Sequence, residues 1–343
     1  MPVARWMRRL ALAGVLLAFA VVVLGAYVRL TAAGLGCPDW PGCYGHLTPS
    51  GALKDAAQGA LAGAPIDPGK AWREMMHRYA AGTLALLIAA ITALAIGARR
   101  QRLVSVAFAL TLLATVIVQA LLGMLTVTWR LQPLIVTLHL VIGMTTLGML
   151  WWLALSLPMS SWGAASLGGA GRSLRGGAAY IANAHHLALL GLAALALQIA
   201  LGGWTSSNYA AIACPDFPTC QGSWWPHADF GSAFALWHGP TVNYEGGLLA
   251  PAARVAIHFT HRLGAVIAAA ALMLAAVFTL RQRGLSHARL RAWAVLGALA
   301  LQLLIGISMV LKGFPLWLAT AHTAGAALLL LAVLALVRYL SAR

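Results

Sequence analysis

The sequence predicts an all-α integral membrane protein: eight transmembrane helices, forming two repeated four-helix bundles related by a pseudo-twofold axis along the membrane normal. Three observations carry this expectation. The 343 residues are 61% hydrophobic and 9% charged, with a mean hydropathy of +0.84, which is too much apolar surface to fold in water. Apolar runs of the ~20 residues that cross a bilayer occur eight times. An offset of 177 residues carries Cys37 and Cys43 onto Cys214 and Cys220, and a closely similar offset carries His77, His139 and their surroundings onto His261 and His322.

The first span covers about 9-29 and follows Arg5, Arg8 and Arg9. A basic start and an apolar run ending near Leu24-Gly25-Ala26 resemble a cleaved signal peptide. The run is nevertheless long enough to span, and the repeat requires it as the counterpart of the fifth span. Spans 73-97, 103-126 and 133-157 complete an N-terminal unit, 1-157. The segment 158-180, rich in Gly and Ser, reads as a cytoplasmic linker. Spans 181-203, 254-280, 292-311 and 316-338 form the C-terminal unit, 181-343. An even number of spans per unit makes both units run the same way. Loops 30-72 and 204-253 then form an outer cap, with a short helix expected at Ala56 to Leu61, and no soluble domain is expected.

The net charge of +16 does not call for a nucleic-acid partner. Its arginines cluster between spans: Arg99, Arg100 and Arg102, then Arg172 and Arg175, then Arg281, Arg283, Arg289 and Arg291, and finally Arg338 and Arg343. The positive-inside rule puts these clusters, and both termini, in the cytoplasm. All seven acids, Asp39, Asp55, Asp67, Glu74, Asp216, Asp229 and Glu245, fall on the other side.

The chain is organised around Glu74-Met75-Met76-His77-Arg78, which opens the second span and returns as His258-Phe259-Thr260-His261-Arg262. His139 and His322 lie in the fourth and eighth spans, just beyond Gln119 to Gly123 and Gln302 to Gly306. A lone intramembrane His is more often a packing or hydrogen-bonding residue. Four at repeat-related places mark a function, because polar groups in hydrocarbon are costly. All four lie within about two turns of the outer surface, roughly 10 Å deep. Pairs of imidazoles from facing helices, His77 with His139 and His261 with His322, suit bis-His heme iron. Arg78 and Arg262 stand where heme propionates would be met. Zinc is the rival, but neither pair has a third or fourth ligand close in sequence.

His258 occupies the place that Glu74 holds in the first half, on the same helical face as the next histidine. A carboxylate there suits proton transfer or stabilisation of a cation; the plainer reading is an interfacial acid paired with Arg73 or Arg78. His258 reads as a hydrogen-bonding filler, and His185 and His186 as interfacial residues. His46, His227, His238 and His287 show no pattern. The two Cys-(x)5-Cys loops, assigned to the oxidising side, read as local disulfides Cys37-Cys43 and Cys214-Cys220, the spacing being wrong for a zinc knuckle. A structural staple is expected for Cys214-Cys220; for Cys37-Cys43 a staple and a redox couple both stand.

Taken together, Gly25 to Pro41 (GAYVRLTAAGLGCPDWP), Glu74-x-x-His77-Arg78, His139, His261-Arg262 and His322 resemble the heme A synthase family, over essentially the whole chain. The resemblance implies an inner-membrane enzyme of bacteria that oxidises the C8 methyl group of heme O to the formyl group of heme A for cytochrome oxidase assembly. It further implies that His77 and His139 hold the substrate heme, that His261 and His322 hold a permanent heme b, and that Glu74 acts in catalysis. The partners it implies are a heme O synthase and an electron acceptor. The alternative is a diheme b-type electron-transfer protein, against which the common depth of all four histidines argues. A thiol oxidoreductase would leave the histidines unexplained, and a transporter would need matched breaks at the midplane.

Overall fold

A computed structural model describes residues 2–57, 66–158, 177–237, 239, 242–282 and 286–342. The long helices are α1 (Pro2–Leu30), α3 (Pro68–Gly97), α4 (Val106–Thr128), α5 (Pro133–Ser156), α6 (Gly177–Ser207), α8 (Pro251–Leu280), α9 (Ser286–Leu311) and α10 (Leu316–Ser341). Short helices α2 (Pro49–Ala57) and α7 (Phe230–Ala233) lie in the two long loops. The eight long helices are each long and apolar enough to cross a membrane, so the chain is a multi-pass membrane protein. Only helices and isolated bridges occur among the described residues.

Several helices begin well before the apolar runs. Helix α3 starts at Pro68 rather than 73, α8 at Pro251 rather than 254, and α9 at Ser286 rather than 292. Hydropathy reads only the part immersed in hydrocarbon, whereas a helix continues until its backbone donors are capped or a proline starts it. Pro68, Pro133 and Pro251 each sit in the first helical turn, where the missing N–H costs nothing. Asp67 caps α3 by accepting from the Lys70 amide at 3.0 Å, and the Gln132 side chain caps α5 by accepting from Ile135 at 2.8 Å. The short outer helix lies earlier than expected, at Pro49–Ala57, and residues 58–61 are outside the described residues, as is most of the linker.

Helices α1, α3, α4 and α5 contact one another in a closed ring, and so do α6, α8, α9 and α10. The rings meet along α5 with α6, α1 with α10, and α5 with α10. One apolar core runs through both, from Ile88, Ile91 and Leu112 to Leu147, Leu150, Leu329 and Leu336. Lipid tails are as apolar as these side chains, so close van der Waals packing rather than exclusion from water holds the helices together. At the seam the Trp151 indole donates to the Leu331 carbonyl at 2.9 Å. A Cβ on Gly148 would lie 2.9 Å from Leu334. We therefore expect Gly148→Leu to destabilise the protein by about 1–3 kcal/mol, the usual cost of overpacking, read as an earlier thermal melt in detergent; an unchanged melt would show that the seam is loose.

Candidate functional site

The two cysteine loops fold alike, residue for residue. Cys37–Cys43 and Cys214–Cys220 are disulfides with the same Cα separation of 4.7 Å. In each the second cysteine pairs with the residue three further on, Cys43 with His46 and Cys220 with Ser223. Between them the chain passes through two left-handed residues, Tyr44 and Gly45 or Gln221 and Gly222, the second being glycine because a side chain is disfavoured there. The Asp of each Cys-Pro-Asp motif serves this turn. Asp39 accepts from the Tyr44 and Gly45 amides at 2.6 and 2.8 Å, and Asp216 from Gln221 and Gly222 at 2.6 and 2.9 Å.

An arginine from the bundle clasps each loop. Arg78 donates to the carbonyls of Asp39 (2.8 Å), Pro41 (3.3 Å) and Gly42. Arg262 donates to Thr219 (2.7 Å), Cys214 (3.0 Å) and Asp216 (2.8 Å). Both guanidinium groups expected beside propionates are thus engaged with loop backbone. A third arginine, Arg29 at the end of α1, was not singled out by the sequence. It crosses between the rings to the Ser206 carbonyl at 2.9 Å and lies over the Tyr209 ring at 4.1 Å. The signal that could have found it is a cation inside an apolar span.

Glu74 is buried. One carboxylate oxygen accepts from the Cys37 amide at 2.9 Å, and the other meets Arg78 at 2.5 Å. Close approach makes this possible: a Cβ on Gly36 would collide with the Lys70 main chain at 2.6 Å, so only glycine lets the loop lie on the start of α3. His258 takes the equivalent place in the second half, also buried, and accepts from Arg262 at 3.3 Å. His46, read from sequence as patternless, pairs with Asp55 of α2 at 2.7 Å.

His77 on α3 and His139 on α5 face each other across the first ring, with ring centroids 6.4 Å apart. Two imidazoles sharing one metal ion through bonds of roughly 2 Å stand with ring centres about 6 Å apart, so the pair has the separation that axial ligation of a heme iron needs. His261 on α8 and His322 on α10 hold the corresponding places in the second ring. Each ring is seated against a glycine of a neighbouring helix. A Cβ on Gly25 would lie 2.9 Å from His77, on Gly123 3.2 Å from His139, on Gly202 3.3 Å from His261 and on Gly306 3.0 Å from His322. Among the described residues no three His, Cys, Asp or Glu side chains converge into a metal site of their own. Two axial imidazoles around a metal with its own equatorial ligands fit this donor set; a four-ligand zinc site does not.

The loop carboxylates yield a pH prediction. The Thr219 hydroxyl, then the Gly222 and Gln221 amides, hold the Asp216 carboxyl down to about 2, below the ordinary value of about 3.9. Its contribution to loop order is therefore fully present above about pH 4 and is lost as pH falls towards 2. Limited proteolysis or amide exchange should show the 214–223 loop opening in acid, and Asp216→Asn should open it already at neutral pH; a loop equally protected in that variant would refute the role.

Comparison with known proteins places the chain in a family. The profile of the COX15-CtaA family, described as cytochrome oxidase assembly protein, matches residues 8–334. A curated protein of Shewanella oneidensis named Heme A synthase is 40% identical over 331 residues, covering 95% of this chain and 93% of that one. Proteins of the same name from Caulobacter sp. and Halalkalibacterium halodurans are 33% and 31% identical over 144 and 124 residues, covering 42% and 35% of this chain and 38% and 33% of theirs. Coverage of nearly the whole chain by the family profile and by a relative of this similarity means that the chain belongs to the COX15-CtaA family of cytochrome oxidase assembly proteins.

Proposed function

We propose that the protein is a heme A synthase, an oxidoreductase that converts the C8 methyl group of heme O into the formyl group of heme A. The observation that carries this reading is an asymmetry: a buried carboxylate, Glu74, one helical turn from His77, with an imidazole, His258, in its place in the other half. His77 and His139 hold the substrate heme. His261 and His322 would hold a heme b, which would supply one-electron transfer. The separation of the first pair, the glycine seats and the donor set support both assignments. The comparisons do not favour the diheme electron-transfer alternative.

Glu74 is the base of the reaction. With water as the oxygen source, oxidation of a methyl group to a formyl group by way of an alcohol and a gem-diol passes four electrons to the electron acceptor and releases four protons, the gem-diol losing water in the last step. A carboxylate within one turn of the substrate's axial ligand receives them. The Cys37 amide and Arg78 hold its two oxygens in place, so the disulfide loop fixes the base as well as covering the site. Arg78 and Arg262 retain the propionate role through donors that the loop carbonyls leave over.

The N-terminal unit 1–157 and the C-terminal unit 181–343, joined by linker 158–180, are duplicated bundles related by a pseudo-twofold axis. The contacts of α5 with α6 and of α1 with α10 exchange under the repeat, and α5 with α10 maps onto itself. Among the described residues, the arginines of these clusters, such as Arg99, Arg100, Arg281 and Arg338, lie at the helix ends remote from the disulfides, which supports a bacterial inner-membrane location with both termini in the cytoplasm. The partners are a heme O synthase upstream, an electron acceptor and membrane lipid.

Pigments extracted from the purified protein and separated by chromatography should contain heme B together with heme O or heme A; heme B alone would favour electron transfer. Glu74→Gln should retain heme and lower formation of heme A by about 10²–10⁴-fold, the usual contribution of a general base; normal turnover would remove Glu74 from the mechanism. His261→Ala or His322→Ala should abolish the low-spin b-type spectrum of the second site, and an intact spectrum would refute the ligand assignment.

A further inference from the structure

Helices α1 and α6 end alike under the 177-residue offset. The Ala33 amide donates to the Val28 carbonyl at 3.0 Å and the Ala210 amide to that of Thr205 at 2.9 Å. In each case the turn passes through a left-handed residue, Ala32 (φ 48°) or Tyr209 (φ 54°). The backbones match and the side chains do not. Arg29 stands where the second half has Ser206, and Tyr209 stands where the first half has Ala32. These two departures from the repeat meet at the seam, where the guanidinium carbon lies 4.1 Å from the centre of the Tyr209 ring.

A left-handed backbone is unusual for a side chain as bulky as tyrosine. The second outer loop makes room for it through Gly247, on which a Cβ would lie 3.1 Å from the ring. Arg29 reaches the Ser206 and Ser207 carbonyls through Nη2, at 2.9 and 3.3 Å. Its Nε and the Tyr209 hydroxyl are both buried without a hydrogen-bond partner. No carboxylate pairs with Arg29 among the described residues. Buried donors left unpaired are costly, and a cation without an anion is more so. A guanidinium and a phenol with free donors side by side suit a carboxylate. Position indicates which carboxylate. Arg29 follows Gly25 by four residues, so it shares that helical face about 6 Å further out. Gly25 seats His77, so this face is turned into the bundle rather than to lipid. Ser206 stands in the same way above Gly202, the seat of His261. The cation is therefore one turn above both histidine pairs, between them and on their outer side.

We infer that Arg29 and Tyr209 form a carboxylate-binding site on the seam between the two histidine pairs, and that its occupant is a propionate of one of the two hemes. This rests on the reading of the four histidines as heme ligands. Arg29 Nε and the Tyr209 hydroxyl would donate to the carboxylate, which would supply the anion that the buried cation lacks. One donor comes from each half, so the bound heme ties the halves together. Because Ser206 and Ala32 take their places under the repeat, the molecule has one such site and not two.

The test uses the purified protein with its bound hemes and reads the resonance Raman bending band of the heme propionates, which follows their hydrogen bonds. Arg29→Gln and Tyr209→Phe should each shift this band. Arg29→Gln should also lower the midpoint potential of the same heme by about 59 mV, a tenfold change in a one-electron equilibrium, because a cation beside the propionate favours the reduced iron. The same variants combined with His322→Ala, which removes the second heme, identify the source. A shift that persists belongs to the heme between His77 and His139, and one that disappears belongs to the other. An unmoved band in both variants, even with an earlier thermal melt, would overturn the inference and leave Arg29 a tie between helix ends. If Arg29→Gln does not accumulate, Tyr209→Phe decides alone. Absence of bis-histidine heme from the parent protein would instead show that the ligand reading has failed.

Discussion

Each half of the molecule is closed by one arginine that immediately follows a histidine. Adjacent residues on a helix point about 100° apart, so a His-Arg pair turns the imidazole into the bundle and the guanidinium towards the loop above. Arg78 and Arg262 each gather three loop carbonyls, groups that would otherwise lack donors near the membrane surface. A charged donor binding several carbonyls is worth more than neutral hydrogen bonds of the same number. The disulfide and the Asp-capped turn make the loop rigid enough to present those carbonyls together, and the imidazoles below inherit their placement from the same helices.

On this common frame the halves differ where chemistry is expected to differ. Glu74 shares Arg78 with the loop and accepts a backbone amide from Cys37, whereas His258 accepts from Arg262 at 3.3 Å and meets the Phe314 ring edge-on. The Gln198 and Gly264 pair becomes Val21 and Ala80. Both changes fall around His77. Two disulfide loops of one shape thus sit over two histidine pairs, and a few side chains around one of those pairs, Glu74 foremost, differ between the halves.

The repeat also shapes the seam between halves. Contacts of α1 with α10 and of α5 with α6 bring together helices of opposite halves, and Arg29 adds a bond from the end of α1 to the end of α6. Its counterpart under the repeat is Ser206, whose carbonyl it binds. The cation is therefore present once, on one side of the seam, which a twofold arrangement allows only because the two sequences have diverged there.

The sequence alone determined the eight spans and the two disulfides, and it singled out the four histidines and Glu74 as the polar residues to examine. These are local or periodic properties: hydrocarbon demands about 20 apolar residues per crossing, and a rare polar residue inside such a run stands out against it. Some helix starts were less legible, since a cap such as Asp67 lies outside the apolar run. Tertiary structure decided what depends on approach between distant segments: the 6.4 Å between His77 and His139, the use of Arg78 and Arg262 as loop clasps, the seating of each ring on a glycine, and the glutamines beside three rings, Gln119, Gln198 and Gln302. Gln198 escaped notice although it has the same spacing to Gly202 as Gln119 has to Gly123. The role of a glycine or an amide is set by the atom opposite it in space, and a single chain read in order does not contain that distance.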